Sequence, residues 1–424
     1  MDNKRRKMND DSKEIKKRLR SNSENDIYYK INERKNNDEY FRNQDKDKQI
    51  EILNKEDEIY NYFNSNTPIR YKILFSSLPI YTKSQIMQKI DMYESMSDDN
   101  LEYIKLSKWY KGLSRIPFDN YINMPISIKD KDYMIQDFLA NSYKILCNTI
   151  YGQYNAKNKI MQILAQWITN PNSLGQIIAI EGPPGVGKTT LVKNGVSCAL
   201  NRPFSFYALG GASDISDLEG HSYTYEGANW GRMIEMLMES KVMNPIIFFD
   251  ELDKVSKSTK GNEINGLLTH LTDPAQNSIF HDKYFPEIDI DFSKVLFFFS
   301  FNDINLINPV LKDRLTIVKF EKYTIEDKIY ILKDYLIPKI LENIGFQKND
   351  IIININTIRY IIENYTAQED GVRNIKRIIE DLFLKINLLR LIKENIDIIN
   401  VKYKIENLIF PLNLNIEIVD NLLK

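Results

Sequence analysis

Short apolar runs separated by amphipathic stretches organise the middle of the chain. Residues 177–180, 204–207, 246–249 and 295–301 are brief and rich in Ile and Phe. Such runs between helical stretches predict a parallel sheet buried on both faces by helices. After Tyr323 the apolar spacing turns helical over 325–341, 356–364 and 371–392, which predicts a smaller helical domain; residues 399–424 are apolar but short. Residues 133–170 read as two helices joined by a Tyr151-Gly152 turn. Further upstream, Thr82-Lys83-Ser84-Gln85 reads as a capping box opening a helix through Ile86, Ile90, Met92 and Tyr93, with helix continuing to Trp109. Pro117 and Pro125 close that region. Residues 1–50 are highly charged with few apolar positions, a composition that predicts a disordered or loosely helical tail. The expected boundaries are a tail at 1–50, a helical N-terminal region at 51–132, an α/β domain at 133–322 and a helical domain at 323–424.

Composition narrows the function classes. The chain has 424 residues, enough for two or three domains, with 43% hydrophobic and 27% charged residues as in ordinary globular proteins. A formal net charge of -1 gives no global attraction to nucleic acid or to an anionic membrane, so nucleic acid is not an expected partner. Lys4-Arg5-Arg6-Lys7 reads as a solvated tail, with a nuclear signal or an anion-binding arm as the alternatives. Cys147 and Cys198 have no partner at metal-ligand spacing and read as reduced core thiols. His221, His270 and His281 form no ligand pattern, so no zinc site is expected. No run approaches the ~20 apolar residues of a membrane span, and no secretory signal opens the chain. The expectation is a soluble, intracellular, cytoplasmic protein without a membrane partner.

The first apolar run leads into Gly182-Pro183-Pro184-Gly185-Val186-Gly187-Lys188-Thr189-Thr190. A strand, a glycine-rich turn and then a helix make a phosphate-binding P-loop, whose backbone N–H groups and helix dipole face a polyphosphate. Glycine permits the positive φ angles and the close approach. Lys188 is expected to reach the β- and γ-phosphates of a nucleotide, and the Thr189 hydroxyl to take a Mg²⁺ position. The fold class follows: α/β, a P-loop NTPase parallel sheet flanked by helices, then a smaller all-α domain.

Two further strand tips carry polar groups. Ile246–Phe249 is followed by Asp250 and Glu251, at the carboxyl edge of the sheet where ligands of such folds bind. Asp250 is the expected Mg²⁺ holder through its water shell, and Glu251 the group that polarises the attacking water. Val295–Phe301 ends in Asn302, whose amide can hydrogen-bond both that water and a γ-phosphate oxygen. An asparagine that merely starts a turn is the structural alternative.

The order of these elements resembles the AAA+ ATPases, and the connecting residues resemble the ATPase module of the Lon proteases. Alongside Gly182–Thr190 the similar stretches are Leu209-Gly210-Gly211, Gly220-His221 with Thr224-Tyr225, Asp250–Lys254, Leu271–Asn277, Phe292–Val295, Leu311–Leu315, Tyr323–Lys328, and Tyr365-Thr366 with Gly371-Val372-Arg373. They cover about residues 145–395 of the sequence. The resemblance implies further roles. Asn302 matches a polar sensor, and Arg314 an arginine finger reaching a neighbouring subunit's nucleotide. Arg373 matches a second sensor on the lid, Tyr151-Gly152 a turn contacting adenine, and Tyr225 the pore-loop aromatic that grips an unfolded polypeptide. A planar, permanently charged guanidinium suits the spread charge of a transferring phosphoryl group. The chain departs from the family at Glu226, where an aliphatic residue is usual, and at Trp230, where proline is usual.

No serine in a glycine-rich nucleophile turn with a partner lysine follows the lid-like region, so this chain is expected to hydrolyse ATP but not peptide bonds. The resemblance implies a homo-oligomeric ring, of six subunits, that remodels or unfolds a protein substrate. The alternatives are a regulatory subunit of a separate protease, a nucleotide-gated scaffold that rarely hydrolyses, and a nucleic-acid remodeller.

Overall fold

The computed structural model describes residues 39–63, 67–97, 101–212, 214–225, 227–256, 258–366, 369–392, 403, 405 and 408–423. Most of the tail expected at 1–50 and the Lys4–Lys7 cluster lie outside the described residues. The described part of that tail is helical, at Glu39–Arg42 and from Lys46, in a helix that runs through residue 50 to Phe63. Two compact units form, one of residues up to Phe75 with Leu113–Arg115, the other of Ser76–Gly112 with Ile116–Lys424. In the first, Phe41 and Leu53 are buried and Gln49 donates to the Phe41 carbonyl at 2.8 Å.

The second unit is built on a parallel sheet. Its strands are β1 (Ile177–Glu181), β2 (Phe204–Ala208), β3 (Ile246–Asp250), β6 (Leu296–Phe301) and β7 (Thr316–Lys319). A hairpin β4 (Phe280–His281) and β5 (Asp289–Ile290) lies between β3 and β6 in sequence. The sheet order is β2-β3-β6-β1-β7, with Ile178 paired to Phe298 and Ile246 to Leu296. β6 is central and all six of its residues are buried. Each buried Phe side chain there contributes about 1.5–3 kcal/mol of transfer free energy. The core on one face joins Ile178, Ile180, Phe248 and Phe298 to Leu146, Trp167, Leu191 and Val192 from the flanking helices. Those helices are Asp132–Thr149 and Tyr154–Thr169, together with the helical run from Lys188 to Leu200, which passes through a π-helical stretch at Leu191–Val196.

Beyond Tyr323 the lid packs Ile340, Ile361, Ile375, Ile379 and Phe383 into its own core. Thr324 and Asp327 form a reciprocal capping box at its first helix. The lid also contains a two-stranded parallel pair, β8 (Ile351–Ile353) with β9 (Leu412–Leu414), an addition to its helices.

Three local expectations need correction. The helix over Ile80–Ser95 begins after Pro79, so Thr82 is a buried residue inside it rather than its cap. Proline ahead of the first turn fixes the entry instead. The helix expected to run from Met92 to Trp109 is two helices, Ile80–Ser95 and Leu101–Arg115. Of the two cysteines only Cys147 is partly buried; Cys198 is exposed, so it is not a core thiol.

Candidate functional site

β1 delivers the glycine-rich turn to the carboxyl edge of the sheet. Gly182 donates its N–H to the Phe301 carbonyl at 3.2 Å, and a Cβ on Gly182 would sit 2.8 Å from that of Phe320. Only glycine allows that approach. Gly185 and Gly187 have φ of +81° and +93°, the left-handed region in which a Cβ is strained. The helix then starts at Lys188, whose ammonium donates to the Gly182 carbonyl at 2.5 Å, the Phe301 carbonyl at 3.0 Å and Asn302 Oδ1 at 2.7 Å. Burial pushes the Lys188 ammonium down to about 8, with Arg373 adding to the fall and Asp250 and Asp253 opposing it. An anion entering here would restore the favoured charge.

The neighbouring strand tips supply carboxylates. Asp250 Oδ1 accepts the Ser300 hydroxyl from β6 and the Glu251 N–H, the latter at 3.0 Å. Glu251 is exposed, in left-handed backbone with φ 59° and ψ 44°. Its Oε2 lies against Gly210, where any side chain would collide with it. Asp253 is buried and its Oδ2 accepts the Asn302 N–H at 3.2 Å. That contact pins the start of the turn after β6. Asp253 had no role from sequence, although it stands three residues after Asp250.

The lid closes the third side. Val372 N–H donates to the Gly185 carbonyl at 3.2 Å, and a Cβ on Gly185 would lie 3.0 Å from that of Arg373. A cavity of about 920 Å³ results, lined by Pro184–Thr190, Tyr151, Asp250, Glu251, Asn302 and Arg373. The structure therefore brings most of the expected residues into one place. Gly152, Gly182 and Pro183 do not line the cavity. Gly152 instead turns the chain at φ +63° beside Tyr151. Tyr323 ties the two ends of the pocket together, its hydroxyl donating to the Tyr151 carbonyl at 3.2 Å and the Val186 carbonyl at 3.0 Å. The ring of Tyr151 packs on Tyr330 at 4.8 Å. Tyr323, read from sequence only within a family-like stretch, also lines the cavity, as do Tyr335, Lys339 and Arg377, which were not read from sequence. Helical spacing was the available signal for Arg377, one turn beyond Arg373 on the same helix.

Two expected residues stand elsewhere. Arg314 does not line the cavity; it pairs with Asp273 at 2.8 Å and donates to the Thr269 carbonyl at 2.9 Å. Tyr225 is 70% exposed, away from the nucleotide turn's cavity. Glu226 lies outside the described residues. Trp230 is accommodated where proline was the family's habit, stacked on Phe285 with ring centroids 6.3 Å apart.

The donor set suits a triphosphate with Mg²⁺. Thr189 and Asp250 are hard oxygen donors on the same cavity. Mg²⁺ keeps most of its ligands as water and substrate phosphate, so a hydroxyl and one carboxylate suffice. Among the described residues no group of three or more His, Cys, Asp or Glu could hold a metal, which leaves no competing all-protein site there. Among the same residues no helix is long and apolar enough to cross a membrane.

Comparison with known proteins gave the following similarities. A family model described as "ATPase family associated with various cellular activities (AAA)" matches residues 178–323. A Lon protease homolog of Acanthamoeba polyphaga mimivirus is 37% identical over 342 residues, which is 80% of this chain and 33% of that protein. A Lon protease of Campylobacter jejuni is 35% identical over 357 residues, 82% of this chain and 42% of its own length. The chain thus spans less than half the length of these relatives. A solved structure of the S. cerevisiae Hsp104:casein complex in its extended conformation is similar over 61% of this chain and 48% of that one, at 18% identity and a TM-score of 0.49.

Proposed function

Because the chain carries an AAA ATPase domain homologous to the AAA modules of Lon proteases, we propose that it is an ATP-driven motor that remodels or unfolds protein substrates. The N–H groups of Gly185–Thr189 and the Lys188 ammonium hold the β- and γ-phosphates. Thr189 and Asp250 hold Mg²⁺, which when bound neutralises charge developing on the phosphate oxygens. Glu251 orients and polarises the attacking water, and Asn302 hydrogen-bonds that water and the γ-phosphate. Arg373 brings a fixed positive charge from the lid. Tyr151 and Gly152 shape the side of the pocket that takes the base.

Assembly completes the site in this reading. Subunits form a ring, six as in the resemblance, and Arg314 leaves its pairing with Asp273 to reach the nucleotide of the adjoining protomer. A guanidinium supplied in trans contributes about 10³–10⁵ in rate in phosphoryl-transfer enzymes. Tyr225 grips the polypeptide, offering a large contact area at low entropy cost.

The observation that carries the reading is the bond from Lys188 Nζ to Asn302 Oδ1 at 2.7 Å, inside the cavity that Glu251 and Arg373 also line. Residues from the nucleotide turn, two strand tips and the lid meet there. The test is ATP turnover by purified protein and by Glu251→Gln. The variant should bind ATP, lose turnover and retain polypeptide in pull-downs. Turnover equal to that of the unaltered chain would overturn the assignment.

A second reading concerns peptide-bond cleavage. The relatives are named Lon protease, and this chain matches 33% or 42% of their length. In this reading the chain acts as the ATPase subunit of a separate protease. Co-purification of a peptidase with the Glu251→Gln chain tests that arrangement.

A further inference from the structure

Residues 220–225 and 227–231 belong to a loop whose ends nearly touch. Gly220 has φ +78°, and a Cβ there would lie 2.7 Å from the Gly231 nitrogen. His221 N–H donates to the Asn229 carbonyl at 3.0 Å across the neck. The buried Asp282 accepts the Gly231 N–H at 2.8 Å. Tyr225 stands exposed between these ends. Its own N–H reaches the Ser222 carbonyl at 3.1 Å, and Ala228 N–H reaches the Tyr225 carbonyl at 3.3 Å.

A helix more than a hundred residues upstream holds this loop. From Leu101–Arg115, Lys105 Nζ donates to the Thr224 carbonyl at 3.0 Å. Lys108 Nζ donates to the Ala228 carbonyl and to Asn229 Oδ1, each at 2.5 Å. Lys105 also faces Glu102 at 3.5 Å. Behind them Lys89, from the preceding helix, lies 4.1 Å from the Tyr223 ring centroid and pairs with Glu287. Gly112 leaves room for the Trp230 indole, since a Cβ would come within 2.9 Å of it. The fit accounts for a tryptophan at the loop's exit.

We propose that Lys105 and Lys108 are positioning residues for Tyr225: by anchoring the carbonyls on both sides of it, they present its ring outward to the polypeptide. The assignment rests on Tyr225 as the gripping residue proposed above. An irregular loop leaves carbonyls without ladder partners, and an ammonium offers three donors with no acceptor to compete. Charge-assisted bonds of this kind are stronger than neutral ones. The flanks are thereby held while the ring itself stays free to bind. A pull on Tyr225 also loads the upstream helices through the same contacts.

Hydrogen exchange on the full chain tests the anchoring without any client. In K105A/K108A, amides of His221, Tyr225 and Ala228 should exchange about tenfold or more faster, the loss of one charged hydrogen bond being of that size. Amides of β1 and β3 should keep their rates, which shows that the chain is folded. Should the double variant not fold, Lys105→Met keeps the apolar stem and should speed exchange at Tyr225. Unchanged exchange at all three amides would overturn the proposal. The gripping role itself is judged separately, by whether Tyr225→Ala removes the stimulation of ATP turnover by reduced, carboxymethylated lactalbumin. Loss of that stimulation with unchanged exchange in K105A/K108A sinks the lysine assignment alone. Stimulation that survives Tyr225→Ala sinks the role assigned to the presented ring.

Discussion

Gly371→Ala is the sharpest perturbation of the nucleotide site that alters none of the proposed chemical groups themselves. Gly371 abuts the Pro184 carbonyl oxygen, and a Cβ added to it would lie 2.6 Å from the Gly185 carbonyl carbon and 2.9 Å from Gly185 Cα. Carbon atoms in contact sit about 3.5–4.0 Å apart, so the two segments must part by about 1 Å. The neighbours are backbone and cannot swing aside as a side chain would. Separation removes the bond from Val372 N–H to the Gly185 carbonyl, now 3.2 Å, and carries Arg373 away from the nucleotide turn. Overpacking of this kind destabilises by about 1–3 kcal/mol, felt mainly in how the lid docks. A displacement of about 1 Å at a catalytic group lowers turnover by about 10²-fold. Steady-state ATP hydrolysis is the assay, with circular dichroism melting beside it. The expected result is a large fall in kcat with both core and lid still folded. A Gly371→Ala chain with kcat within about twofold of the unaltered chain would refute the idea that lid and nucleotide turn act in contact.

The remaining expectations concern smaller changes. At Gly210 a Cβ would run into Glu251 Oε2, a movable side chain, whereas nothing lies within 4 Å of one at Gly211. Gly210→Ala should therefore lower kcat by about tenfold or more through a displaced base while the melting temperature holds, and Gly211→Ala should do neither. Burial pushes the Asp282 carboxyl up to about 7 against the pull of the backbone N–H groups of Gly231, Tyr284 and Phe285. The folded chain then holds this proton to about pH 7, whereas the unfolded chain releases it near 3.8, so its contribution to stability falls as pH rises between those values and levels off above. The melting-temperature advantage of the unaltered chain over Asp282→Asn should narrow from pH 5 to pH 8; a widening gap would contradict the assignment.

How much of this was legible beforehand depended on how local the physics was. β1, β3 and β6 announced themselves as runs of Ile and Phe because both faces of a central strand are buried. β7 did not, since an edge strand of four residues, Thr-Ile-Val-Lys, is only partly buried and carries a weak pattern. β8 and β9 are three residues each and pair across some sixty residues, a separation no window reads. The nucleotide turn was legible to the residue because its glycines, lysine and hydroxyl act through backbone geometry that sequence spells directly. Gly371 looked like part of a family pattern, and its close approach to Pro184 and Gly185 emerged only in three dimensions. Asp282 likewise gave no signal as a buried carboxylate, for its burial comes from the hairpin and the loop it fastens. The ammonium groups of Lys105 and Lys108 were indistinguishable from a solvated helix face until their carbonyl partners, 119 and 120 residues away, were seen.

Glu251 joins local strain to the proposed chemistry. Left-handed backbone costs a non-glycine residue about 1–2 kcal/mol, and glycine would form the same turn without that penalty. Asp119, Gln153, Asn201 and Lys241 also have positive φ, and Glu251, like Gln153, stands at the start of a helical turn, here the short one at Leu252–Lys254. Among the described non-glycine residues with positive φ, Glu251 is the one that lines the nucleotide cavity. The Asp250 carboxylate accepts its N–H, and Lys254 N–H closes on its carbonyl at 2.9 Å, so the strained peptide is held from both sides. Gly210 is the reciprocal case: the turn Leu209–Gly211 that follows β2 carries no side chain there, which leaves the Glu251 carboxylate its space. A glutamate where glycine would be more stable, facing a glycine whose place a side chain could take only by displacing that carboxylate, is explained if the position of the carboxylate matters more than the stability forgone. Strain of this sort is retained where a site needs it, and ATP turnover by Glu251→Gln decides whether that need is catalytic.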